Sequence, residues 1–311
     1  ELVNEGGGFS IDDLTHYKSI LEGIGCECTI YNLKDNLISV DHHTLTTIDD
    51  TYVLVVRDGL KNILEINNSS LNDLYSEMNS FEWDRKYFDT RRQKVLNKHA
   101  RANVCFGDES VEPDYENKKG RVVGYDSVQS LRFVKENLST MLGEKCDNLI
   151  CEGNRYFDLK KCGIGFHGDA ERTRVICLSL GADNYPMRWI WYYKNKPVSD
   201  YYEIKLNSGD IYIMSEKAVG QEWKKSSIYT LRHAAGSNKY INIYNNLINY
   251  TRNKDLYISL NRNDNFSDRL TLFLLHFAFF LKNYQNDKNK AILQEIYDFN
   301  FRQLELSIRE I

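Results

Sequence analysis

The sequence of 311 residues has no long hydrophobic run and no recognisable export signal. Its longest apolar stretch, residues 270–281, is interrupted by His276 and is too short to span a bilayer, so we expect a buried helix there. The N-terminal residues lack the basic start and the apolar middle of a signal peptide. These absences argue against a membrane partner and favour an intracellular protein, in the cytoplasm or the nucleus.

Cysteine and proline are sparse, and neither follows a pattern. The seven cysteines show no paired spacing of the kind that holds zinc, and Cys26 and Cys28 are too close for a C-x-x-C motif. We expect all seven to be reduced thiols, mostly buried. Only three prolines are present, whereas asparagine, lysine, isoleucine and tyrosine are abundant, a bias typical of an AT-rich genome such as that of a virus or a protist.

The chain also lacks a strong net charge, since 40 basic and 44 acidic side chains leave only -4 at neutral pH. Such a balance gives no global attraction to nucleic acid, so any basic surface must be local. Residues 85–101 provide one, because lysines and arginines alternate there with Tyr87, Phe88 and His99. This mixture can track phosphates and stack on bases, or it can be a solvated approach to the first core strand.

Periodic patterns divide the chain into three parts. Residues 1–80 combine a helix capped at Ser10 with two β-branched strands and predict a small N-terminal α/β unit. Residues 81–250 carry many short strands between turn residues, the last at 239–244, and predict a mainly β sandwich or barrel with flanking helices. Residues 251–311 return to helical spacing and predict a C-terminal helical extension, which packs on the core or forms a homodimer.

The most informative stretch is His167-Gly168-Asp169, which places an imidazole and a carboxylate two residues apart. On an extended strand both side chains point to the same face, as two adjacent ligands of one metal ion do. Non-haem iron(II) oxygenases use two histidines and one carboxylate in this way and leave the other positions open for a 2-oxo acid and oxygen. Three common residues alone are a weak signal, so the interpretation depends on the sequence around them.

The flanking sequence resembles the AlkB-like branch of the 2-oxoglutarate/iron(II)-dependent dioxygenases. Five segments in family order carry the resemblance over about residues 95–250, and they are residues 103–108, 154–156, 164–171, 178–182 and 209–215. They look like the family's YGD strand, its N-x-Y, its I-G-x-H-x-D-x-E, its S-L-G-A and its G-D-x-x-x-M-S strand. The resemblance implies a core with the double-stranded β-helix, or jelly-roll, fold.

Within this resemblance His167 and Asp169 are two iron ligands, and the third is a histidine some tens of residues later. The family's W-x-H, placed on Trp223, puts Lys225 where that histidine belongs, and a protonated lysine cannot replace it. Either His233 supplies the third ligand from a shifted position, or the triad is incomplete.

The resemblance also implies a site for 2-oxoglutarate, whose distal carboxylate needs a cation because a buried carboxylate must be paired. AlkB-like proteins use an arginine at the start of the last barrel strand, and the match places Lys239 there. Lysine can act as a point charge but lacks the bidentate fork of arginine. Arg232 is the rival anchor. By the same resemblance, Asn154 and Tyr156 hydrogen-bond the co-substrate.

Together these features predict an Fe(II)/2-oxoglutarate-dependent oxygenase of AlkB type, which uses O2 to hydroxylate or demethylate a nucleobase in DNA or RNA, as in DNA repair. The aromatic strand at residues 187–193 either stacks on a base or packs in the core. Two alternatives stay open. One is the same chemistry on a protein side chain or a small molecule, which the small net charge favours. The other is a non-catalytic jelly-roll binding module, which Lys225 favours.

Overall fold

The structure, a computed structural model, describes residues 1–37, 42–159, 162–236, 241–262, 265–286 and 288–309. These residues contain fifteen strands and ten α-helices. They divide into two compact units, Glu1–Ser237 and Asn238–Ile311. All of the described strands belong to the first unit, and the described part of the second is helical.

Two β-sheets and one hairpin make up the first unit. In chain order the strands are β1 (Leu2–Asn4), β2 (Glu27–Asn32), β3 (Tyr52–Arg57), β4 (Lys86–Asp89), β5 (Lys94–Asn97), β6 (Ala102–Gly107), β7 (Val122–Gly124), β8 (Ile150–Arg155), β9 (Gly163–His167), β10 (Arg174–Leu178), β11 (Tyr185–Tyr193), β12 (Lys196–Pro197), β13 (Tyr202–Leu206), β14 (Ile211–Met214) and β15 (Thr230–Gly236). The larger sheet has the order β2-β3-β14-β10-β1-β8-β6-β7. The smaller one has the order β12-β11-β15-β9, with β13 also paired to β11, and β4 pairs with β5 alone.

Six α-helices accompany these strands: α1 (Ile11–Gly23), α2 (His42–Thr47), α3 (Gly59–Ile66), α4 (Leu71–Met78), α5 (Gln129–Leu142) and α6 (Glu216–Val219). The N-terminus of α1 is a capping box, in which Ser10 accepts a hydrogen bond from the Asp13 backbone and the Asp13 side chain accepts one from the Ser10 backbone. The cap satisfies two amide groups that the first turn leaves free, as the sequence predicts at Ser10.

The larger sheet separates two hydrophobic cores, because successive residues of a strand face opposite sides. On β3, Leu54 and Val56 face the core that contains side chains of α1, α3, α4 and α5. Val53 and Val55 face the other core, which also receives Trp189 and Trp191 from the smaller sheet. Each of these large side chains contributes roughly 2–3 kcal/mol when it is buried. The two sheets therefore form a firmly packed sandwich, with helices on the outer face of the larger sheet.

A mainly β protein with flanking helices is what the sequence predicts, and the structure confirms it at that level. Residues 1–80, in which the sequence predicts an α/β unit with two strands, contribute β1, β2 and β3 to the larger sheet: β3 pairs with β14, and β1 lies between β8 and β10. Local periodicity identifies such strands but contains no information on their distant partners.

The second unit contains α7 (Ile241–Tyr250), α8 (Lys254–Ser259), α9 (Phe266–Tyr284) and α10 (Lys290–Arg309). The prediction of a strand at residues 239–244 is wrong from Ile241 onward, because α7 begins there. Tyr244 and Leu247 are its buried residues, a spacing of three that belongs to a helix face. Isoleucine and tyrosine favour strands by composition, and tertiary packing overrides that preference here.

The apolar stretch at residues 270–281 lies in α9, which begins after the N-cap Asn265. Phe273 and Phe277 are buried, and the Nδ1 atom of His276 lies 2.8 Å from the carbonyl oxygen of Leu272. Among the described residues, no helix is long and apolar enough to cross a membrane. A homodimer through these helices stays a prediction.

Candidate metal centre

In the described parts of the chain, one group of side chains could hold a metal ion, and it consists of His167, Asp169 and His233. One ligand atom from each lies within 4.8 Å of the others. His167 is the last residue of β9, and Asp169 follows in the loop, where its backbone N–H donates to the carbonyl oxygen of Val219 at 3.1 Å. The strand end and this loop contact direct the two side chains to one point.

His233 reaches the same point from β15, where it lies directly opposite His167 in the antiparallel pair. The two imidazole rings are 4.6 Å apart between centroids. Lys225, which the alignment to the family's W-x-H puts at the third ligand position, is instead 60% exposed and pairs with Glu222. Of the two arrangements left open by the sequence, the structure thus has the histidine from the shifted position beside the first pair.

Both histidines turn the same ring nitrogen to the carboxylate. The Nε2 atom of His167 is 3.7 Å from Oδ1 of Asp169, and the Nε2 atom of His233 is 3.8 Å from Oδ2. The Nδ1 atom of His167 lies 2.9 Å from the carbonyl oxygen of Gly165, so it carries the proton and leaves the Nε2 lone pair for the site. Nδ1 of His233 is buried and has no hydrogen-bond partner among the described residues.

Burial sets the protonation of two of the three side chains. It raises the pKa of the Asp169 carboxyl, and the nearby His167 and Arg172 oppose that rise. Burial, followed by the charges of His167 and Arg172, lowers the pKa of His233 well below its ordinary value. At neutral pH His233 is therefore the uncharged imidazole that metals bind. A cation between the three side chains would favour the ionised form of Asp169.

The donor set fits iron(II). Two imidazole nitrogens and one carboxylate oxygen are the donors that the facial triad of non-haem iron(II) sites uses. Ligand atoms about 2.1 Å from a metal and at right angles to one another lie roughly 3.0 Å apart. The distances of 3.7 and 3.8 Å around Asp169 come within an ångström of this geometry.

The segment between the first two ligands is tightly packed. A Cβ atom on Gly168 would lie 2.1 Å from the carbonyl oxygen of Gly220 and 2.7 Å from Cβ of Trp223. Gly220 itself has a φ of 77° and ends α6 in a left-handed conformation, which favours glycine. The turn after α6 therefore presses directly on the backbone between His167 and Asp169 and fixes the angle between them.

Of the four residues predicted to hold the co-substrate, the structure places two in the lining of the cleft. Asn154 and Tyr156 line the cleft into which the triad opens. Arg232 does not line it, because it is the strand neighbour of His233 and faces the opposite side of the sheet. Its guanidinium lies 3.9 Å above the ring of Tyr192 and 5.0 Å from that of Trp223. Arg232 as the rival anchor therefore does not fit the structure, and Lys239 lies outside the described residues.

Three further residues of the cleft were not singled out from the sequence, and they are Arg101, Arg172 and Tyr185. Arg172 forms ion pairs with Glu1 and with Glu152. Arg101 lay within the basic stretch, where nothing in the sequence separates it from its exposed neighbours. Tyr185 opens β11 and carries no local signal at all.

The basic stretch forms the β4–β5 hairpin at the rim of the cleft. The guanidinium of Arg85 lies 4.3 Å from the ring centroid of Phe157, which lines the cleft. Its exposed cations include Lys86, Arg91, Arg92 and Lys94.

The sequence predicts that the aromatic strand at residues 187–193 either stacks on a base or packs in the core. Trp189 and Trp191 are each only 1% exposed, so these two tryptophans pack in the core.

Comparison with known proteins gives one relative at high similarity. The chain is 41% identical over 234 residues to the uncharacterized protein R156 of Acanthamoeba polyphaga mimivirus. The aligned region covers 75% of this chain and 87% of that protein. No protein-family model matches the chain.

Proposed function

This chain belongs to the same protein family as R156, and since that relative is described as uncharacterized, we propose a function from the chemistry of the site. The proposal is an iron(II)- and 2-oxoglutarate-dependent oxygenase of AlkB type that oxidises a nucleobase in DNA or RNA. The observation that carries it is the convergence of His167, Asp169 and His233 within 4.8 Å in an open cleft.

The strand order supports a double-stranded β-helix around this triad. From β8 to β11 the chain alternates between the larger and the smaller sheet, and from β13 to β15 it does so again. Each sheet also contains a pair of strands that are distant in sequence: β10 pairs with β14 in the larger sheet, and β9 pairs with β15 in the smaller one. Such alternation is what a jelly-roll requires. The ligands then come from two neighbouring strands, β9 and β15, and the loop that follows the first.

The triad would hold the metal from one side and leave the other open to co-substrates. Bound iron(II) supplies the oxidation, in which O2 gives one oxygen atom to a substrate C–H bond and the other to succinate as 2-oxoglutarate loses CO2. Asp169 provides the negative charge that a divalent ion needs, and the neutral imidazole of His233 binds without first losing a proton. Met187, Tyr212 and Met214 are buried in the wall of the cleft and keep water away from that side.

Nucleic acid as the substrate is supported by the β4–β5 hairpin. Over residues 85–101 seven cations stand against the single acid Asp89, although the whole chain is slightly acidic. A local basic rim next to the cleft that contains the triad suits a strand whose phosphates lie outside while one base enters the cleft. On an N-methylated base, hydroxylation of the methyl group yields a hemiaminal that releases formaldehyde.

The first test is anaerobic binding of iron(II) and 2-oxoglutarate to the full chain, followed by the weak visible charge-transfer band of the chelate. We expect the band in the parent and in His16→Ala, an exposed histidine on α1 that serves as the control. We expect no band in His167→Ala or His233→Ala. Absence of the band in folded parent protein would refute the oxygenase proposal.

The substrate class is tested separately, by measuring succinate and formaldehyde in air with N-methylated single-stranded oligonucleotides. We expect 2-oxoglutarate turnover to rise with the methylated oligonucleotide and not with its unmethylated counterpart. A chelate band without any such stimulation would move the proposal to the same chemistry on a protein or a small molecule.

A further inference from the structure

The proposed co-substrate brings carboxylate groups into the cleft, and neither cation suggested by the sequence is seen to meet them. Arg232 faces the other side of the smaller sheet, and Lys239 lies outside the described residues. Between β10 and β8 the larger sheet contains β1, whose paired residues Leu2 and Val3 carry no charge. The described cleft must therefore contain another cation if it binds a 2-oxo acid.

Arg101 is that cation by its place in the larger sheet. It immediately precedes β6, whose residues Ala102 and Asn103 pair with Arg155 and Asn154 of β8. One step further along this register, Arg101 lies opposite Tyr156. Strand alternation puts it on the same face as Asn103, the face turned to the triad. The Nε atom of Arg101 donates a hydrogen bond to Oδ1 of Asn154 at 2.7 Å.

The other two arginines of the cleft are engaged elsewhere. Arg172 is neutralised by ion pairs with both Glu1 and Glu152. Arg155 follows Asn154 on β8, so its side chain leaves the sheet on the opposite face. Its guanidinium lies 5.9 Å from the ring centroid of Trp83. By contrast, Arg101 forms no ion pair with any carboxylate in the described ranges, so its charge is left for a ligand.

Hydrogen-bond donors surround this guanidinium. Oδ1 of Asn154 accepts from both Arg101 and Asn103, which leaves the amide nitrogen of Asn154 to donate. The rings of Tyr156 and Tyr185 are 5.1 Å apart, and the Tyr185 hydroxyl is buried without a hydrogen-bond partner among the described residues. Burial raises the pKa of both phenols, so both hydroxyls keep their protons. One cation and three neutral donors suit an anion with several oxygens, and the nearby acids Glu1 and Glu152 are paired with Arg172.

We propose that Arg101, oriented by Asn154, pairs with a carboxylate of the 2-oxo acid co-substrate, and that Tyr156 and Tyr185 donate further hydrogen bonds to it. This assignment rests on the proposed function. The anchoring cation is then not Lys239, near the end of the core sequence, but Arg101, which lies between the basic hairpin and β6. The co-substrate site is therefore next in sequence to the rim of the cleft.

The test compares the parent with Arg101→Ala, Arg101→Lys and the matched control Arg155→Ala. Each protein is loaded anaerobically with iron(II) and titrated with 2-oxoglutarate and, separately, with 2-oxobutyrate, which lacks the distal carboxylate. Affinity for the metal alone and for an unmodified single-stranded oligonucleotide is measured beside these. We expect Arg101→Ala to lower the affinity for 2-oxoglutarate about tenfold to a hundredfold and Arg101→Lys to lower it less. Arg155→Ala should leave this affinity unchanged.

The two oxo acids identify the carboxylate. If Arg101→Ala lowers the affinity for 2-oxoglutarate alone, Arg101 contacts the distal carboxylate. If it lowers the affinity for both acids equally, Arg101 contacts the carboxylate next to the ketone. Unchanged affinity for both acids would overturn the proposal, with weaker oligonucleotide binding then assigning Arg101 to a phosphate. A loss of metal affinity in Arg101→Ala would overturn it as well, because the arginine would then only support the site. If the parent forms no chelate with either acid, the oxygenase proposal itself fails.

Discussion

Replacing Gly168 by alanine tests whether the triad depends on the close packing of the loop between its first two ligands. The new Cβ would meet the carbonyl oxygen of Gly220 at 2.1 Å, which is more than an ångström inside van der Waals contact. The obstacle is backbone, so it cannot turn away as a flexible side chain would. Either the turn after α6 must move or the segment carrying His167 and Asp169 must.

The size of the effect follows from this contact. Overpacking in a well-packed region costs typically about 1–3 kcal/mol, and a clash between two backbone segments belongs at the upper end. For a unit of this size, a loss of about 3 kcal/mol lowers the melting temperature by roughly 6–12 °C. Affinity for iron(II) should fall as well, because His167 and Asp169 can no longer converge on the position set by His233.

Thermal unfolding of the full chain, with and without iron(II) under anaerobic conditions, measures both effects. Gly23→Ala is the control, since a Cβ at that position, the last residue of α1, has nothing within 4 Å. We expect that variant to be unchanged or slightly more stable, because alanine favours a helix more than glycine does. A Gly168→Ala protein that melts with the parent and keeps its metal affinity would refute the packing argument.

Three further outcomes follow from burial in the same unit. Asp169→Asn should abolish stabilisation by metal. Without metal, the variant should melt above the parent at pH 8, and the difference in melting temperature should shrink on acidification, because a carboxyl with a raised pKa loses its stabilising contribution as the pH rises. Equal melting curves for the variant and the parent would contradict this reasoning. Between pH 7 and pH 5, His233→Leu should lose less stability than the parent in metal-free thermal melts, because the lowered pKa of His233 means that acid must charge a buried imidazole in the parent. The control His16→Leu, which changes an exposed histidine, should behave as the parent. Identical acid profiles for His233→Leu and the parent would refute the reasoning. A thiol reagent should label one residue rapidly in the folded chain, Cys105, and all seven in denaturant, because the other six cysteines are buried; rapid labelling of a second thiol would show that the sheets open.

The predictable part of the site is the part that is local in sequence. His167 and Asp169 lie two residues apart, so the sequence identifies them as a pair, although in the structure Asp169 lies in the loop after β9 and not on the strand. His233 required a choice that spacing could not make, because its place depends on the pairing of β15 with β9. Lys225 seemed to occupy the ligand position only because a fixed spacing was carried over. In the structure the turn after α6 places Lys225 in an exposed loop instead.

Arg232 shows why the side chains that line the cleft are harder to predict than a pair of residues close together in sequence. It adjoins a ligand in sequence, yet adjacency on a strand means opposite faces, and its guanidinium stacks on Tyr192 outside the sandwich. Arg101 is remote from every ligand in sequence, but in the register of β6 and β8 it lies opposite Tyr156, two positions from Asn154. Chain distance therefore misplaces these two arginines relative to the cleft, whereas strand parity and register account for the position of Arg101 in its lining and of Arg232 outside it.

Although its net charge is only -4, the chain has a basic approach to its cleft because many of its cations lie together in residues 85–101. The β4–β5 hairpin is joined to β6 by a short segment that contains Lys98 and ends at Arg101, so the cations of the rim and the cation of the cleft belong to one continuous piece of chain. Arg101 in turn donates a hydrogen bond to Asn154. If a strand bound at the hairpin shifts this segment and Arg101 pairs with the co-substrate, the two binding events are coupled, and by linkage each then changes the affinity of the other by the same factor.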